Sequence, residues 1–375
     1  MKTWDIFCRV VDNYGDIGVS WRLARQLANE HQLAVRLWVD ELAALQHIWP
    51  ATKLEQQQQL AGVTVCVWSK EFQVDYIADV VIEAFACHIP ESYIAAMLLV
   101  KPSPIWLNVE YLSAESWVED CHQLSSINPQ NGLRKTFYFP GFSEKTGGLL
   151  RERDLFMQRN RFMVSTARAA FLTRIGAPDS HENRVIISLF SYENTAIASL
   201  LLAWSESPVA VLCLVPAGKA LVSVNRFFNA GLQVGDGCTR GALRLQVIPF
   251  LTQVDYDHLL WACDINFVRG EDSFVRAQWA AKPCLWHIYP QEDEAHLVKL
   301  KAFLEKYTYG ADSELASLIN QLSLAWNQGA DCSQLWANLF SRYADWREHS
   351  QVWCKNLGSA PDLAANLVLF CQKIL

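Results

Sequence analysis

Two series of short apolar runs dominate the 375-residue chain and restrict the folds open to it. The first is WDIFCRVV, LAVRLWV, VTVCVWS, DVVIEAFA and IWLNVEYLS, ending near Ser113; the second begins near Arg184 with RVIISLF, VAVLCLV, LRLQVIPF, DINFV and CLWHIY. Segments with helical patterning, such as TQVDYDHLLWACD, separate the runs. Near-continuous apolar strands alternating with amphipathic helices imply a parallel sheet covered on both faces. The sequence therefore predicts an α/β protein of two Rossmann-like domains. A chain of this length with 51% apolar residues can bury a core in each.

Between the series lies GFSEKTGGLLRERDLFMQRNRFMVSTARAAFLTRIGAP, where a Gly-Gly turn leads into one or two helices that stop at Gly176-Ala-Pro178. The expected division is residues 1–178 and 179–356. The tail SAPDLAANLVLFCQKIL reads as an amphipathic helix, about 357–375, that crosses back to the first domain. The tract QQQQ at 56–59 reads as a polar helix surface.

Thirty-two basic against 39 acidic residues give a net charge of −7, with no Lys/Arg-rich run, so the broad positive footprint of a nucleic-acid or anionic-membrane binder is missing. Eleven scattered cysteines without a C-x-x-C pair fit a reduced compartment. The N-terminus meets an aspartate at position 5 and lacks a signal-peptide pattern, and no apolar run reaches the roughly 18 residues of a membrane span. A cytoplasmic location is expected.

The segment DNYGDIG, Asp12 to Gly18, stands at a strand-to-helix junction where α/β proteins hold phosphate. Yet it carries two carboxylates, Asp12 and Asp16, which would repel one. Turn glycines Gly15 and Gly18 with Asp16 as a helix cap would account for it structurally. Two carboxylates converging on the ligand-binding edge of a sheet would instead suit a cation, above all a guanidinium.

A second group is VRGEDSFVRAQWAAKPCLWHIYPQEDE, residues 268–294. Acidic residues and a serine cap at a helix start are ordinary. Here, however, Arg269, Gly270, Glu271, Asp272 and Ser273 follow a strand directly. They offer an Arg, backbone N–H groups and a hydroxyl to a diphosphate, and carboxylates to sugar hydroxyls. This is the form of a nucleotide-sugar site in a GT-B glycosyltransferase. Phe190, Ser191 and Tyr192 after RVIISL, with Phe250 and Gln253 after LRLQVI, would complete it by stacking on and hydrogen-bonding a pyrimidine; a core role for the aromatics is the alternative. Asp255-Tyr-Asp257 has the form of a D-x-D metal motif but stands where helix-start acids are expected. His287 and Tyr289 are candidates for core, rim or ligand contact. No metal-binding spacing, G-x-S-x-G, Walker A or G-x-G-x-x-G occurs at the expected junctions.

FCRVVDNYGDIGVSWRLARQLA, LNVEYLSAESWVED, GFSEKTGGLLRERD and RGEDSFVRAQWAAKPCLWHIYPQEDEAHLVKL occur in that order. On these motifs the chain resembles the bacterial elongation factor P arginine rhamnosyltransferases. The resemblance implies a GT-B fold, two Rossmann-like domains facing across a cleft, the first for the acceptor and the second for the nucleotide sugar. It further implies an inverting, metal-independent transfer from dTDP-β-L-rhamnose to an arginine of elongation factor P, with no cofactor. By position, Asp16 would be the general base and Asp12 would help hold the acceptor. Glu271 and Asp272 would be the second acidic pair near the donor, Arg269 and Ser273 would contact the diphosphate, and Phe190, Tyr192, Phe250 and Gln253 would surround thymidine. A GT-B enzyme with another nucleotide sugar and a small-molecule acceptor, and a non-enzymatic sugar-binding module, are the rival readings.

Overall fold

The computed structural model describes residues 2–11, 14–69, 72, 74–178, 184–291 and 294–374. The chain forms two compact units, Met1–Arg153 with Ala360–Leu375, and Asp154–Ser359.

The first unit is built on strands β1 (Thr3–Cys8), β2 (Ala34–Val39), β3 (Gln57–Leu60), β4 (Val63–Val67), β5 (Val80–Ala84), β6 (Ile105–Val109), β7 (Ser125–Ile127) and β8 (Arg134–Tyr138). Their order in the sheet is β3-β4-β2-β1-β5-β6-β8-β7, parallel except for β3 and β7 at the edges. β1 pairs with β2 on one side and β5 on the other. The chain thus winds outward from β1, then returns to wind the other way. The loops that leave the carboxyl ends of β1 and β5 diverge there, which opens the crevice where such sheets hold ligands.

The tract read as a helix surface is instead the edge strand β3. It pairs antiparallel with β4 through a two-residue turn, Ala61 and Gly62, whose φ angles of 46° and 85° give the type I′ geometry that joins twisted strands. Gln58 also bonds both the N–H and the C=O of Lys53. Polar composition concealed the strand because one of its faces is exposed and the other only half-buried.

The second unit contains β9 (Arg184–Leu189), β10 (Ala210–Pro216), β11 (Gly237–Arg240), β12 (Leu243–Ile248), β13 (Ile265–Arg269) and β14 (Cys284–His287), in the order β11-β12-β10-β9-β13-β14. All pairs are parallel except β11 with β12. Here the winding reverses between β9 and β13, again opening a crevice at the carboxyl ends. Buried Trp204, Phe267, Trp326 and Trp336 pack edge-on or tilted around the underside of this sheet.

The units divide at Arg153/Asp154, ahead of the 178/179 boundary expected from the Gly-Ala-Pro turn. Packing decides this. Phe162, on helix Leu155–Val164, stacks on His258 with centroids 4.7 Å apart, and Arg168, on helix Ala167–Arg174, donates twice to the carbonyl of Ala262.

The chain re-enters the first unit at Ala360, and helix Leu363–Ile374 closes it. Leu363 N–H bonds the Leu149 carbonyl, and the Asn366 amide bonds Gly147 O. Two glycines make this docking possible: a Cβ on Gly147 would lie 2.5 Å from the Tyr138 ring, and Gly148, at φ 79°, would put one 2.9 Å from Pro361 O. Among the described residues no helix is long and apolar enough to cross a membrane.

Candidate active site

The loop after β1 turns into helix Gly15–His31. Tyr14, not Asp16, occupies the N-cap position, and its side chain makes no cap bond. Asp16 sits inside the first turn, where a negative charge complements the helix dipole. Its carboxylate bends back to accept the N–H of Val11 at 2.9 Å and the hydroxyl of Tyr111 at 3.1 Å. It is only 2% exposed, so these two donors fix its orientation at the base of the crevice. Asp12 lies outside the described residues.

Three strand ends meet at this point. Tyr111 follows β6 and stacks on Phe85, which follows β5, with centroids 4.5 Å apart and planes 18° from parallel. Phe85, Ala86 and His88 all have φ between 50° and 56°, a left-handed conformation that costs a non-glycine residue about 1 to 3 kcal/mol. The strain is held by Ala86 N–H on Asn108 Oδ1 and His88 N–H on Glu83 Oε1. Tyr111 and Phe85 have no role in the sequence reading. Their signal was the position just beyond the strands DVVIEA and IWLNV, at the same sheet edge as DNYGDIG.

In the second unit β13 ends at Arg269, and Gly270, at φ 63°, makes the turn into helix Asp272–Ala280. Glu271 takes the N-cap position without a side-chain cap bond, and Ser273 lies inside the helix, not at its cap. The Arg269 guanidinium lies between two rings, with Cζ 4.7 Å from the centroid of Phe190 and 4.9 Å from that of Tyr192. Cation–π contact of this kind holds the charge without consuming its N–H donors. Arg269 is buried, and its Nη1 has no hydrogen-bond partner among the described residues. A buried donor left in this state is free to bond an acceptor that enters the crevice.

The other candidates lie on the elements that follow the neighbouring strands. Gln253 Nε2 donates to Asp272 Oδ2 at 3.3 Å, which ties the helix after β12 to the helix after β13. Phe250 is half-buried on the loop between β12 and helix Gln253–Ala262. Tyr256, unassigned in the sequence, packs on Phe190 at 5.2 Å, and burial pushes its phenol above the ordinary value, so it stays a hydrogen-bond donor. Tyr192 contacts the rings of His287 and Tyr289, and Lys219 Nζ lies 5.6 Å from it. Burial, with Arg269 and His296 adding repulsion, pulls His287 down to about 4. The ring is therefore neutral near pH 7.

The D-x-D pair faces elsewhere. Asp255 is gripped by the fork of Arg174 at 2.6 and 3.0 Å, and Asp257 by that of Arg276 at 2.8 and 2.9 Å. Both carboxylates serve the packing of helix Gln253–Ala262, whose cap is Thr252. Among the described residues no group of three or more His, Cys, Asp or Glu side chains is placed to hold a metal ion.

Residues 4–372 match the family described as Elongation-Factor P (EF-P) rhamnosyltransferase EarP. The chain is 51% identical over 373 residues to a protein-arginine rhamnosyltransferase of Pseudomonas aeruginosa, covering 99% of each chain. It is 49% identical over 376 residues to that of Pseudomonas putida, covering 100% of this chain and 99% of the other. A solved structure described as the structural basis for EarP-mediated arginine glycosylation of translation elongation factor EF-P aligns over the whole of both chains with a TM-score of 0.73 and 38% identity. A UDP-GlcNAc 2-epimerase from Neisseria meningitidis aligns over the whole of both chains with a TM-score of 0.51 at 9% identity, a likeness of fold alone. The fold is that of the GT-B glycosyltransferases.

Proposed function

The chain belongs to the family of elongation factor P rhamnosyltransferases, and we propose that it is an inverting glycosyltransferase that moves L-rhamnose from dTDP-β-L-rhamnose to an arginine of elongation factor P, activating that factor in the cytoplasm. One observation carries this reading beyond family membership. The turn after β1, where a phosphate would otherwise be bound, presents a buried carboxylate, Asp16, pinned by the Val11 N–H and the Tyr111 hydroxyl. A fixed anion at the mouth of a sheet selects a cation, and guanidinium pairs with it most specifically.

An arginine side chain, with a pKa above about 12, is protonated and a poor nucleophile. Asp16 orients the guanidinium, with Asp12 of the same loop as a second anchor, and accepts a proton as the nitrogen attacks the anomeric carbon. Attack from the face opposite the leaving group inverts the centre. The departing diphosphate gains negative charge, which Arg269 and the N-terminus of helix Asp272–Ala280 stabilise. Ser273 adds a hydroxyl, and Glu271 and Asp272 lie where sugar hydroxyls are bound. Phe190, Tyr192, Phe250 and Gln253 surround the thymidine. We propose that no metal or cofactor takes part, because Asp255 and Asp257 are each committed to an arginine fork while Arg269 keeps a donor in reserve.

The test is to incubate the protein with dTDP-β-L-rhamnose and elongation factor P and to record the intact mass of the acceptor. The expected result is the gain of one rhamnosyl group, located on an arginine by fragmentation. An unchanged acceptor mass under conditions where the donor is bound would overturn the acceptor assignment.

A further inference from the structure

A groove in the second unit lies away from Arg269, beside the turn that leads into β14. Two helix faces wall it. Arg159 and Met163 lie on helix Leu155–Val164, and Arg347 and Lys355 on helix Tyr343–Gly358, while Trp261 and Lys282 line the base. The volume is about 650 Å³, the size of a small-molecule site.

Its charge is one-sided. Four cations line the groove, Arg159, Lys282, Arg347 and Lys355, and no carboxylate does, in a chain whose net charge is −7. Arg159 Nη1 donates to the Trp279 carbonyl at 2.7 Å, and Lys282 approaches Asp264 at 4.0 Å. Arg347 and Lys355 are exposed and make no ion pair among the described residues. Burial pulls the Lys282 ammonium below its ordinary value, Arg347 and Arg168 add to this, and Asp264 opposes it. Like charges held together in a concave, partly apolar site raise the local concentration of anions. Arginine forks and a lysine point charge are the groups that bind phosphate, while the half-buried Phe156 and Met163 offer apolar surface beside them.

We propose that this groove binds a small organic phosphate, its phosphate on Arg347, Lys355 and Lys282 and its apolar or aromatic body on Met163 and Phe156. The proposal is independent of the donor and acceptor assignments.

Calorimetry on the full chain with phenyl phosphate and with inorganic phosphate tests it. The titrations are repeated in an Arg269→Ala background, so that binding at that guanidinium is counted separately. The expected result is phenyl phosphate bound at least ten-fold more tightly than inorganic phosphate in both backgrounds. Arg347→Glu with Lys355→Glu should weaken it a further ten-fold or more, and the milder pair Arg347→Ala with Lys355→Ala less. Both pairs are surface changes whose unaltered Tm checks folding. No binding, equal affinity for the two probes, or binding that survives the glutamate pair in a folded protein would overturn the proposal.

Discussion

The hydroxyl of Tyr111 donates to Oδ1 of Asp16 across 3.1 Å, joining the end of β6 to the first turn of the helix that follows β1. If Asp16 is the base, this bond favours its ionised form, and its loss makes the carboxylate easier to protonate. Tyr111→Phe should therefore shift the acid limb of the kcat/KM profile upward. The ring and its stacking on Phe85 are retained, so KM for the acceptor should change little at high pH. An unmoved acid limb would mean that Asp16 is not the titrating group.

The two acidic groups should separate kinetically. Asp16→Asn is expected to leave donor affinity nearly intact while lowering the chemical step by about 10²-fold or more, the scale of a lost general base. Asp272→Ala removes the acceptor of the Gln253 amide beside Arg269 and should weaken donor binding. Calorimetry with thymidine diphosphate and single-turnover kinetics on both variants decide the matter. Equal loss of donor affinity in the two would contradict this division.

The alternation of apolar runs was enough to place ten of the strands, because buried parallel strands leave a continuous apolar signature. Edge strands do not, and β3 was hidden in a polar tract for that reason. The sheet edges also showed which loops matter, which is why Asp16, Arg269 and Phe190 could be named from sequence. What they touch could not be. The guanidinium clamp of Phe190 and Tyr192 on Arg269 joins residues almost 80 positions apart, and Tyr111 reaches Asp16 from 95 positions away. Such pairings depend on strand order, which the local pattern does not encode.

Asp257 illustrates the same limit with an energetic consequence. Read as an exposed helix-start acid it would contribute about 0.3–1 kcal/mol. In the structure it is buried and receives both arms of Arg276, and removing one partner of a buried pair costs about 3–5 kcal/mol. Asp257→Asn should thus lower thermal stability markedly while turnover at a permissive temperature stays within a few-fold, and EDTA should not inhibit. An inactive but fully stable Asp257→Asn, or EDTA inhibition reversed by manganese, would return this residue to metal binding.

The buried imidazole of His287 ties the donor crevice to pH. Its ring lies against Tyr192 and Trp326, and burial together with Arg269 and His296 pulls its pKa from an ordinary 6.5 down to about 4. The unfolded chain therefore binds a proton at a pH where the folded one does not. His287 stabilises the fold fully above pH 6.5, and that contribution is lost as the pH falls from 6.5 towards 4, by about 3 kcal/mol at most. His287→Gln, which cannot titrate, should show a smaller fall in the denaturant midpoint between pH 7.5 and 4.5 than the parent protein. Part of the fall will remain, because burial also pulls His122 in the first unit down to about 4. Donor affinity should follow the same direction, since a charged His287 would repel Arg269 and loosen its place between Phe190 and Tyr192. Identical acid limbs for the parent and His287→Gln, in stability and in thymidine diphosphate binding, would show that this histidine does not sense pH in the crevice.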